Sequence, residues 1–344
     1  MRSESQPTEV GVDANSPGTA ENTMRAIVQD TYGSADVLRL ARITPPEIAE
    51  DEVLLHVHAA GLDRGTWHLM TGRPYLLRLV SGIRRPKNPV PGVDVAGTVV
   101  AVGSAVTRFS AGDEVFGFGK GSFAEYAVAP EGLLARKPVN ATFEQVAVVP
   151  VSAATALQAL CDVGHVESGQ QVLIIGASGG VGSYAVQLAK AFGAEVTGVG
   201  STTKLDLVRS LGADHVIDYT RDDFADGEHR YDLILDIGGN PALSRLRRAL
   251  TPTGTAVIVG GEEGGNLTGM NRQLRALALS PFVRQRLTMF IAKQRSRDLE
   301  RLTELIDAGK VTPSIDRTYP LDQVPEAMRH LEAGKARGKV AITI

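Results

Sequence analysis

The segment Gly176-Ala-Ser-Gly-Gly-Val-Gly182 decides the fold of this chain. It directly follows the apolar run 171–175 and directly precedes 183–192, where apolar residues recur with helical spacing. A glycine turn between a buried strand and a helix lets a pyrophosphate approach the backbone and meet free N–H groups at the helix N-terminus. The spacing is A/G-x-G-x-x-G with alanine first, which favours a dinucleotide site over a merely structural turn. The predicted cofactor-binding residues of this loop are Ala177, Ser178, Gly179, Gly180, Val181 and Gly182.

Strands and helices continue to alternate beyond the loop. Gly212 ends a predicted helix at 205–211. Further strands are predicted at 195–199, 215–218, 232–236 and 255–259. Apolar strands that alternate with helices are typical of a parallel sheet covered on both faces. Farther along, the pattern predicts, in order, an Arg-rich helix at 272–286, a strand at 287–293, a helix to Ala308, a helix at 321–331 and a closing strand at 339–344.

The chain before this region has a different rhythm. From Met24 to about Pro150, short runs of apolar and β-branched residues alternate with turn residues. The clearest of these runs lie at 25–29, 52–59 and 93–103. They predict a mostly antiparallel, barrel-like domain. The predicted fold class is therefore α/β, with a β-rich domain beside a doubly wound parallel-sheet domain.

Composition limits the function classes. The chain has 344 residues and a net charge of −3, so no global basic field favours nucleic acid. Its single cysteine, Cys161, excludes an intramolecular disulfide and favours a reducing compartment. Residues 1–23 are polar and lack the apolar core of a signal peptide, which predicts a disordered leader. Because no run of about 18 apolar residues occurs, we expect a cytoplasmic protein without a membrane partner.

The end of the second parallel strand bears on the choice of cofactor. An NAD-binding chain usually places Asp or Glu about 20 residues beyond the glycine loop, where it bonds the ribose hydroxyls. Here that position is Gly200, followed by Ser201, Thr202 and Lys204. Glycine leaves room for a 2′-phosphate, and hydroxyls and a lysine can donate to it. We therefore predict NADPH over NADH, although Ser201 is equally suited to cap a helix and Lys204 to lie in solvent.

With the glycine loop and the strand-rich front half in place, the chain resembles the medium-chain dehydrogenase/reductases over nearly its full length. The closest likeness is to their quinone oxidoreductase branch. Stretches that carry the resemblance include Pro91-Gly-Val-Asp-Val-Ala-Gly97, Gly121-Ser-Phe-Ala-Glu-Tyr126, Val149-Pro-Val-Ser-Ala-Ala-Thr-Ala-Leu157, Leu211-Gly-Ala-Asp-His-Val-Ile-Asp-Tyr219 and Gly338-Lys-Val340. The resemblance implies a GroES-like catalytic domain at 24–150, to which 294–344 returns, and a Rossmann domain at 151–293. The substrate then lies in the cleft between them.

Residues of this chain argue against catalytic zinc. Zinc-dependent members of the superfamily carry Cys where this sequence has Asp63, and Gly-His-Glu where it has Gly92-Val-Asp94. The four cysteines of their structural zinc site are also missing. Tetrahedral zinc needs three or four ligands at matched spacing. His56 and His58 share one strand face, but no third ligand accompanies them, so we predict no metal.

Hydride transfer without a metal needs hydrogen-bond donors, or a general acid such as tyrosine, near the developing charge. Asp63 stands where many quinone oxidoreductase-like members carry Asn; its alternative role is to pair with Arg64 or cap a turn. Tyr75 lies in a stretch that resembles the loop of a catalytic tyrosine in enoyl reductases, although packing explains it as well. Thr155 matches a position beside the nicotinamide. The remaining cofactor-binding predictions are Tyr219, Gly260, Gly261 and Lys339.

Three functions remain open at this point. The first is an NADPH-dependent, zinc-free reduction of quinones or α,β-unsaturated carbonyls. The second is a 2-enoyl thioester reductase, and the third a non-catalytic, cofactor-binding protein used structurally or for RNA contact. The basic run Arg84-Arg-Pro-Lys87 either meets an acidic substrate group or lies in a solvated loop. The run 287–293 resembles the edge strand through which relatives pair, which predicts a homodimer.

Overall fold

The computed structural model describes residues 23–260 and 270–344. The predicted leader, apart from Thr23, and the candidate residue Gly261 lie outside the described residues. The strands are β1 (Met24–Val28), β2 (Arg39–Ile43), β3 (Glu52–Leu62), β4 (Asp94–Val102), β5 (Glu114–Phe118), β6 (Tyr126–Pro130), β7 (Leu134–Arg136), β8 (Gln171–Ile175), β9 (Glu195–Gly200), β10 (His215–Asp218), β11 (Tyr231–Asp236), β12 (Leu250–Ile258), β13 (Arg286–Met289), β14 (Ile315–Pro320) and β15 (Lys339–Thr343).

Helices cover the faces and ends of the sheets formed by these strands. They are α1 (Arg64–Thr71), α2 (Arg78–Ser81), α3 (Phe143–Ala147), α4 (Pro150–Gln158), α5 (Gly180–Ala191), α6 (Leu205–Ser210), α7 (Leu243–Ala249), α8 (Asn271–Leu279), α9 (Ser296–Asp307) and α10 (Val324–Glu332). A π-helical turn at Ala159–Val163 continues α4. None of the helices in the described ranges combines the length and apolar character that a bilayer crossing requires.

The predicted parallel sheet is present. Its six strands run in the order β10-β9-β8-β11-β12-β13, and every neighbouring pair is parallel. Strands β8 and β10 have the bounds that the sequence predicts. Val172 and Ile174 pack on one face of the sheet with α4 and α5, while Leu173 and Ile175 pack on the other with α7 and α8. Burial on both faces explains why these strands are continuously apolar.

The front half forms a second, mostly antiparallel sheet. Its order is β14-β15-β3-β4-β5-β7, with β6 also paired to β3. The closing strand β15 lies antiparallel to β3, so the C-terminal segment joins the sheet of the front half. This is the connectivity that the family resemblance implied, and the exact domain boundaries stay a prediction. A separate pair, β1 and β2, packs beside this sheet.

The sequence interpretation was wrong between residues 272 and 293. The predicted helix at 272–286 ends at Leu279, and a 3-10 turn follows at Ser280–Phe282. Pro281 explains the end of the helix, because proline lacks the N–H that a continuing α-helix needs and its ring clashes with the carbonyl four residues earlier. The predicted strand at 287–293 is likewise shorter: it begins at Arg286 and ends at Met289.

Candidate active site

A cleft of about 930 Å³ lies where the carboxyl ends of the parallel strands meet the antiparallel sheet of the front half. The ends of β8, β9 and β12 and the first turn of α5 form one wall. The opposite wall comes from the end of β3, from α1 and from the segment that leads into β15. A crevice at the carboxyl ends of parallel strands is the usual ligand site of an open α/β sheet.

The glycine loop lies at the centre of this cleft. Gly176 has a φ of +85°, which favours glycine. A Cβ on Gly182 would lie 2.1 Å from the Gly176 carbonyl oxygen, so only glycine allows α5 to pack this closely on the loop. Gly179 is the N-cap of α5 and has no side chain to occupy the first N–H groups. A Cβ there would meet only the Gly176 oxygen, at 3.4 Å, so the residues present fit a pyrophosphate.

The loop residues divide into two groups. Ser178, Gly179, Gly180 and Val181 line the cleft. Ala177 and Gly182 do not, because Ala177 is fully buried in the core and Gly182 faces the backbone of the loop. The sequence therefore located the loop, but the structure assigns two of its six residues to close packing.

Lys339, the first residue of β15, packs against the glycine loop although it lies near the other end of the sequence. Its side chain is 1% exposed, and Nζ donates a hydrogen bond to Ser152 Oγ at 2.9 Å. A Cβ on Gly180 would lie 3.1 Å from Lys339 Cδ, so the lysine stem packs on the first residue of α5. The sequence prediction for Lys339 depended on the resemblance; the structure places a buried cation beside the helix end where an anionic group would lie.

Asp94, which sequence reasoning did not single out as a functional residue, lies behind this lysine. Its carboxyl group is fully buried, and Oδ1 accepts a hydrogen bond from Val151 N at 2.9 Å. Oδ2 lies 3.7 Å from Lys339 Nζ and has no hydrogen-bond partner among the described residues. Burial raises the pKa of Asp94 to about 8, because the attraction of Lys339 and the Val151 N–H only partly offsets the loss of solvent.

The predicted 2′-phosphate region is only partly assembled from the predicted residues. Gly200, Ser201, Lys204 and Tyr219 line the cleft, and Ser201 makes no side-chain cap, so the alternative of a helix cap is not observed. Lys204 Nζ donates to the carbonyl oxygens of Gly334 and Ala336, both at 2.8 Å. Desolvation lowers the pKa of Lys204.

Two other residues of this region differ from the sequence interpretation. Thr202 does not line the cleft; its hydroxyl donates to Asp218. Arg245, which the sequence analysis missed, lines the cleft and donates to Asp223 at 2.6 Å. Lys204 and Arg245 thus line this cleft while bonded within the chain, and the carboxylate nearest in register to Gly200 is Asp218, on the neighbouring strand β10.

Comparisons with known proteins agree with this geometry. Residues 49–139 match the family described as alcohol dehydrogenase GroES-like domain, and residues 211–342 match the family described as zinc-binding dehydrogenase. A 2-methylene-furan-3-one reductase from Solanum lycopersicum is 36% identical over 93% of this chain and 79% of its own length. An NADPH-dependent alkenal/one oxidoreductase from Arabidopsis thaliana is 35% identical over 98% of this chain and 84% of its own. The structure of a quinone oxidoreductase from Coxiella burnetii matches with a TM-score of 0.84 and 28% identity over 94% of this chain and 99% of its own.

The chain belongs to the medium-chain dehydrogenase/reductase superfamily, in its quinone oxidoreductase-like branch. The superfamily assignment confirms the predicted fold class, a GroES-like domain together with a Rossmann domain. It also confirms that the chain is an oxidoreductase.

The positions that hold zinc ligands in other superfamily members are Asp63 and Asp94 in this oxidoreductase, and each accepts a hydrogen bond through Oδ1. Asp63 Oδ1 accepts from Thr66 N at 2.8 Å, and Asp94 accepts from Val151 N. Among the described residues, the group of possible metal ligands that lie close together is Asp226, Glu228 and His229, all exposed and outside the cleft lining. Among the residues that the structure describes, no ligand set at this cleft matches the description of one matching family as zinc-binding, and zinc independence stays a prediction.

The three candidate catalytic residues have different surroundings. Asp63 lines the cleft as the N-cap of α1, the capping alternative that the sequence left open, and its buried Oδ2 has no hydrogen-bond partner among the described residues. Thr155 also lines the cleft, and its hydroxyl donates to Val151 O at 2.6 Å, which leaves the oxygen free to accept. Tyr75 is exposed, does not line the cleft and lies beneath the Arg78 guanidinium at 4.9 Å. Its position gives no support to a catalytic role.

Two further residues that line the cleft are His68 and Gly260. His68 lines the cleft, and its Nδ1 lies 2.7 Å from the Arg73 carbonyl, which only accepts, so Nδ1 carries the proton. The neighbouring Trp67 packs beneath Arg64 and does not line the cleft. Gly260 lines the cleft as predicted, at the end of β12.

Proposed function

We propose that this oxidoreductase binds NADPH in the cleft and reduces quinones or α,β-unsaturated carbonyl compounds. The observation that carries the proposal is the cleft itself: an uncapped glycine loop faces it, and Gly200 occupies the position of the ribose-binding carboxylate. The named relatives support the substrate class, since one is an NADPH-dependent alkenal/one oxidoreductase and a similar structure is that of a quinone oxidoreductase.

The chain would hold NADPH along one wall of the cleft. Ser178 to Val181 offer the start of α5 to the pyrophosphate, and Lys339 adds a buried positive charge beside it. Gly200 leaves space for a 2′-phosphate, with Ser201 and Tyr219 at its edge. NADPH held there supplies the hydride, and the protein supplies position and electrostatics.

Residues of the opposite wall would act on the acceptor. Asp63 and His68 both lie on or beside α1 and face the same cleft as the glycine loop. A group that donates a hydrogen bond to the acceptor oxygen stabilises the charge that develops when hydride reaches an enone or a quinone. A carboxyl group donates a hydrogen bond only when it is protonated, whereas an amide in its place always donates. Asp63 is therefore the residue to test.

The proposal is tested by following NADPH oxidation against quinones, enones and an enoyl-CoA, with NADH and EDTA as controls. We expect turnover of quinones or enones with NADPH preferred and no effect of EDTA. Turnover confined to the enoyl-CoA would support the thioester reductase instead. NADPH binding without turnover of any acceptor would support the non-catalytic alternative, and loss of activity in EDTA would contradict zinc independence.

We also propose that the protein forms a homodimer through β13. This strand is an edge of the parallel sheet and pairs with β12 on one side. Phe282 and Ile291 flank it and are strongly exposed. An unpaired edge with apolar neighbours favours two-fold pairing. Light scattering is expected to give twice the chain mass of 36.5 kDa, and a species of 36.5 kDa alone would contradict the dimer.

A further inference from the structure

A cluster of large apolar side chains is exposed just after α1. Val80 is 73% exposed and Ile83 is 69% exposed. The other members of the cluster are Tyr75, Leu76 and Leu79. Isolated apolar residues on a surface need no explanation, but several within nine residues indicate a binding surface.

The same stretch is the most basic part of the front half. Between residues 64 and 93 the sequence has six Arg or Lys residues and no Asp or Glu, although the whole chain has a net charge of −3. Arg84, Arg85 and Lys87 are exposed and line a concavity of about 540 Å³. No ion pair to these three occurs among the described residues. The neighbouring Asp30 is paired with Arg39 at 2.9 Å. We call residues 73–87 the basic–apolar segment.

Buried contacts fix which side of the basic–apolar segment faces outward. Tyr32 Oη donates to the Gly82 carbonyl at 2.6 Å. Arg78 Nε donates to the Gly72 carbonyl at 2.9 Å, and its guanidinium lies 4.5 Å from the centre of the Tyr32 ring. The inner side of the segment is therefore anchored to the domain. Leu79, Val80 and Ile83 are left on the outer side, with the cations next to them in sequence.

The segment is also connected to the cleft. His68, which lines the cleft, bonds the carbonyl of Arg73 through Nδ1 at 2.7 Å. Arg73 N in turn donates to the His68 carbonyl at 3.3 Å. The segment thus begins at the acceptor side of the cleft.

We propose that the basic–apolar segment docks the protein on the surface of an anionic lipid bilayer. Apolar side chains beside uncompensated cations suit the acyl boundary and the acidic headgroups of such a surface, and this combination binds peripherally without crossing it. In a two-fold dimer built on this segment, the segment would face its own copy and the like charges would repel, so its charge favours a lipid surface over pairing with itself. The proposal revises the expectation of no membrane partner, which followed from the lack of a membrane span and does not bear on a surface-bound segment.

Docking there gives the cleft access to acceptors that partition into lipid, as many quinones do. This advantage rests on the proposed function, whereas the docking itself does not. The two are therefore measured separately: binding to vesicles without NADPH or acceptor, and NADPH binding and turnover without vesicles.

The test is co-sedimentation of the full chain with vesicles of phosphatidylcholine alone or mixed with phosphatidylglycerol. Two double variants probe the segment: Arg84→Glu with Arg85→Glu, and Val80→Ser with Ile83→Ser. Matched controls elsewhere on the surface are Arg209→Glu and Val139→Ser, both at exposed positions. NADPH binding by each variant, measured by fluorescence, shows that it is folded.

We expect the wild type and both controls to sediment with the anionic vesicles only, and less so at high salt. The arginine variant should partition more than about tenfold less, because each basic side chain near an anionic surface contributes about fivefold. The apolar variant should also lose binding. A wild type that binds neither vesicle, or binding that neither double variant changes, would overturn the proposal. The proposal would also be overturned if the wild type were a dimer and these variants were monomers, because the segment would then bind a second copy of the chain.

Discussion

Lys339 Nζ lies 3.7 Å from Asp94 Oδ2, and neither side chain is exposed to solvent. The two residues lie far apart in the sequence and meet behind the glycine loop, because β15 returns to the front-half sheet that contains β4. A lysine this deeply buried is costly unless an anionic group nearby stabilises it. Since burial favours the neutral form of Asp94, the pair suggests that Lys339 is kept for an anion that enters the cleft.

Replacing Lys339 by Met should weaken NADPH binding by at least about tenfold, since a hydrogen bond to a charged group contributes on the order of 1.5 kcal/mol or more. Methionine keeps most of the stem that packs on Gly180 but removes the charge. Fluorescence titration measures the dissociation constant. Lys335→Met is the matched control, because Lys335 is exposed in the same segment. This control variant should bind NADPH as the wild type does. Equal affinities of both variants would contradict the role of Lys339.

The stability of the protein should fall as pH rises toward 9. The folded-state pKa of Asp94, about 8, lies above its ordinary value of 3.8. The native state therefore holds this proton where the unfolded chain has lost it, and the stabilisation is complete below 3.8 and lost as pH rises through about 8. Asp94→Asn keeps an acceptor for Val151 N but cannot ionise. Its Tm should decline less than that of the wild type between pH 6 and 9, and parallel declines would show that Asp94 is not responsible.

Gly200→Asp should reverse the cofactor preference. A Cβ at Gly200 would make only ordinary contacts, 3.6 Å from Leu205 Cδ2 and 3.8 Å from Ser178 Oγ, so the fold should accept the change. The new carboxylate would repel a 2′-phosphate and accept from ribose hydroxyls. We expect NADPH affinity to drop on the order of tenfold or more while NADH affinity is kept or rises. Gly200→Asn controls for size, and loss of both cofactors by the two variants alike would point to a steric effect instead.

Asp63→Asn should keep the fold and raise turnover. The amide oxygen can accept from Thr66 N as Oδ1 does, so α1 stays capped, whereas Asp63→Ala should lose about 1 kcal/mol of stability. An amide also donates a hydrogen bond to the acceptor oxygen, which an ionised carboxylate opposes. Measuring both kcat with an enone and Tm for each variant separates the effect on turnover from the effect on stability. A folded Asp63→Asn variant without turnover would show that the carboxyl group itself is required.

Local patterns were sufficient for most of the parallel sheet. The strands at β8 and β10 and the glycine loop could be predicted because burial and turn geometry act on neighbouring residues. The helix prediction at 272–286 was wrong beyond Leu279, because Pro281 lacks the N–H that the helix needs to continue. Proline within a helical pattern was the signal that should have ended that helix earlier.

The contacts that complete the site could not be predicted in the same way. Ser152 and Lys339 are 187 residues apart, and Lys204 bonds a carbonyl 130 residues away. Such pairs depend on how the C-terminal segment returns to the front-half sheet through β15, which no local pattern specifies. For Asp94 a weak signal existed: a carboxylate within the apolar run 93–103 must either face solvent or be buried with a partner. For Tyr75 the resemblance suggested a catalytic site, but the structure places it on the exposed basic–apolar segment.

The central claim is that NADPH in this cleft passes hydride directly to the acceptor. The most direct test is a single turnover with NADPH that carries deuterium at both C4 positions of the nicotinamide and an α,β-unsaturated ketone, followed by mass spectrometry and NMR of the product. We expect a saturated ketone that carries one deuterium on its β-carbon, in the presence and absence of EDTA. A product without the label, or one formed only when metal is present, would contradict it.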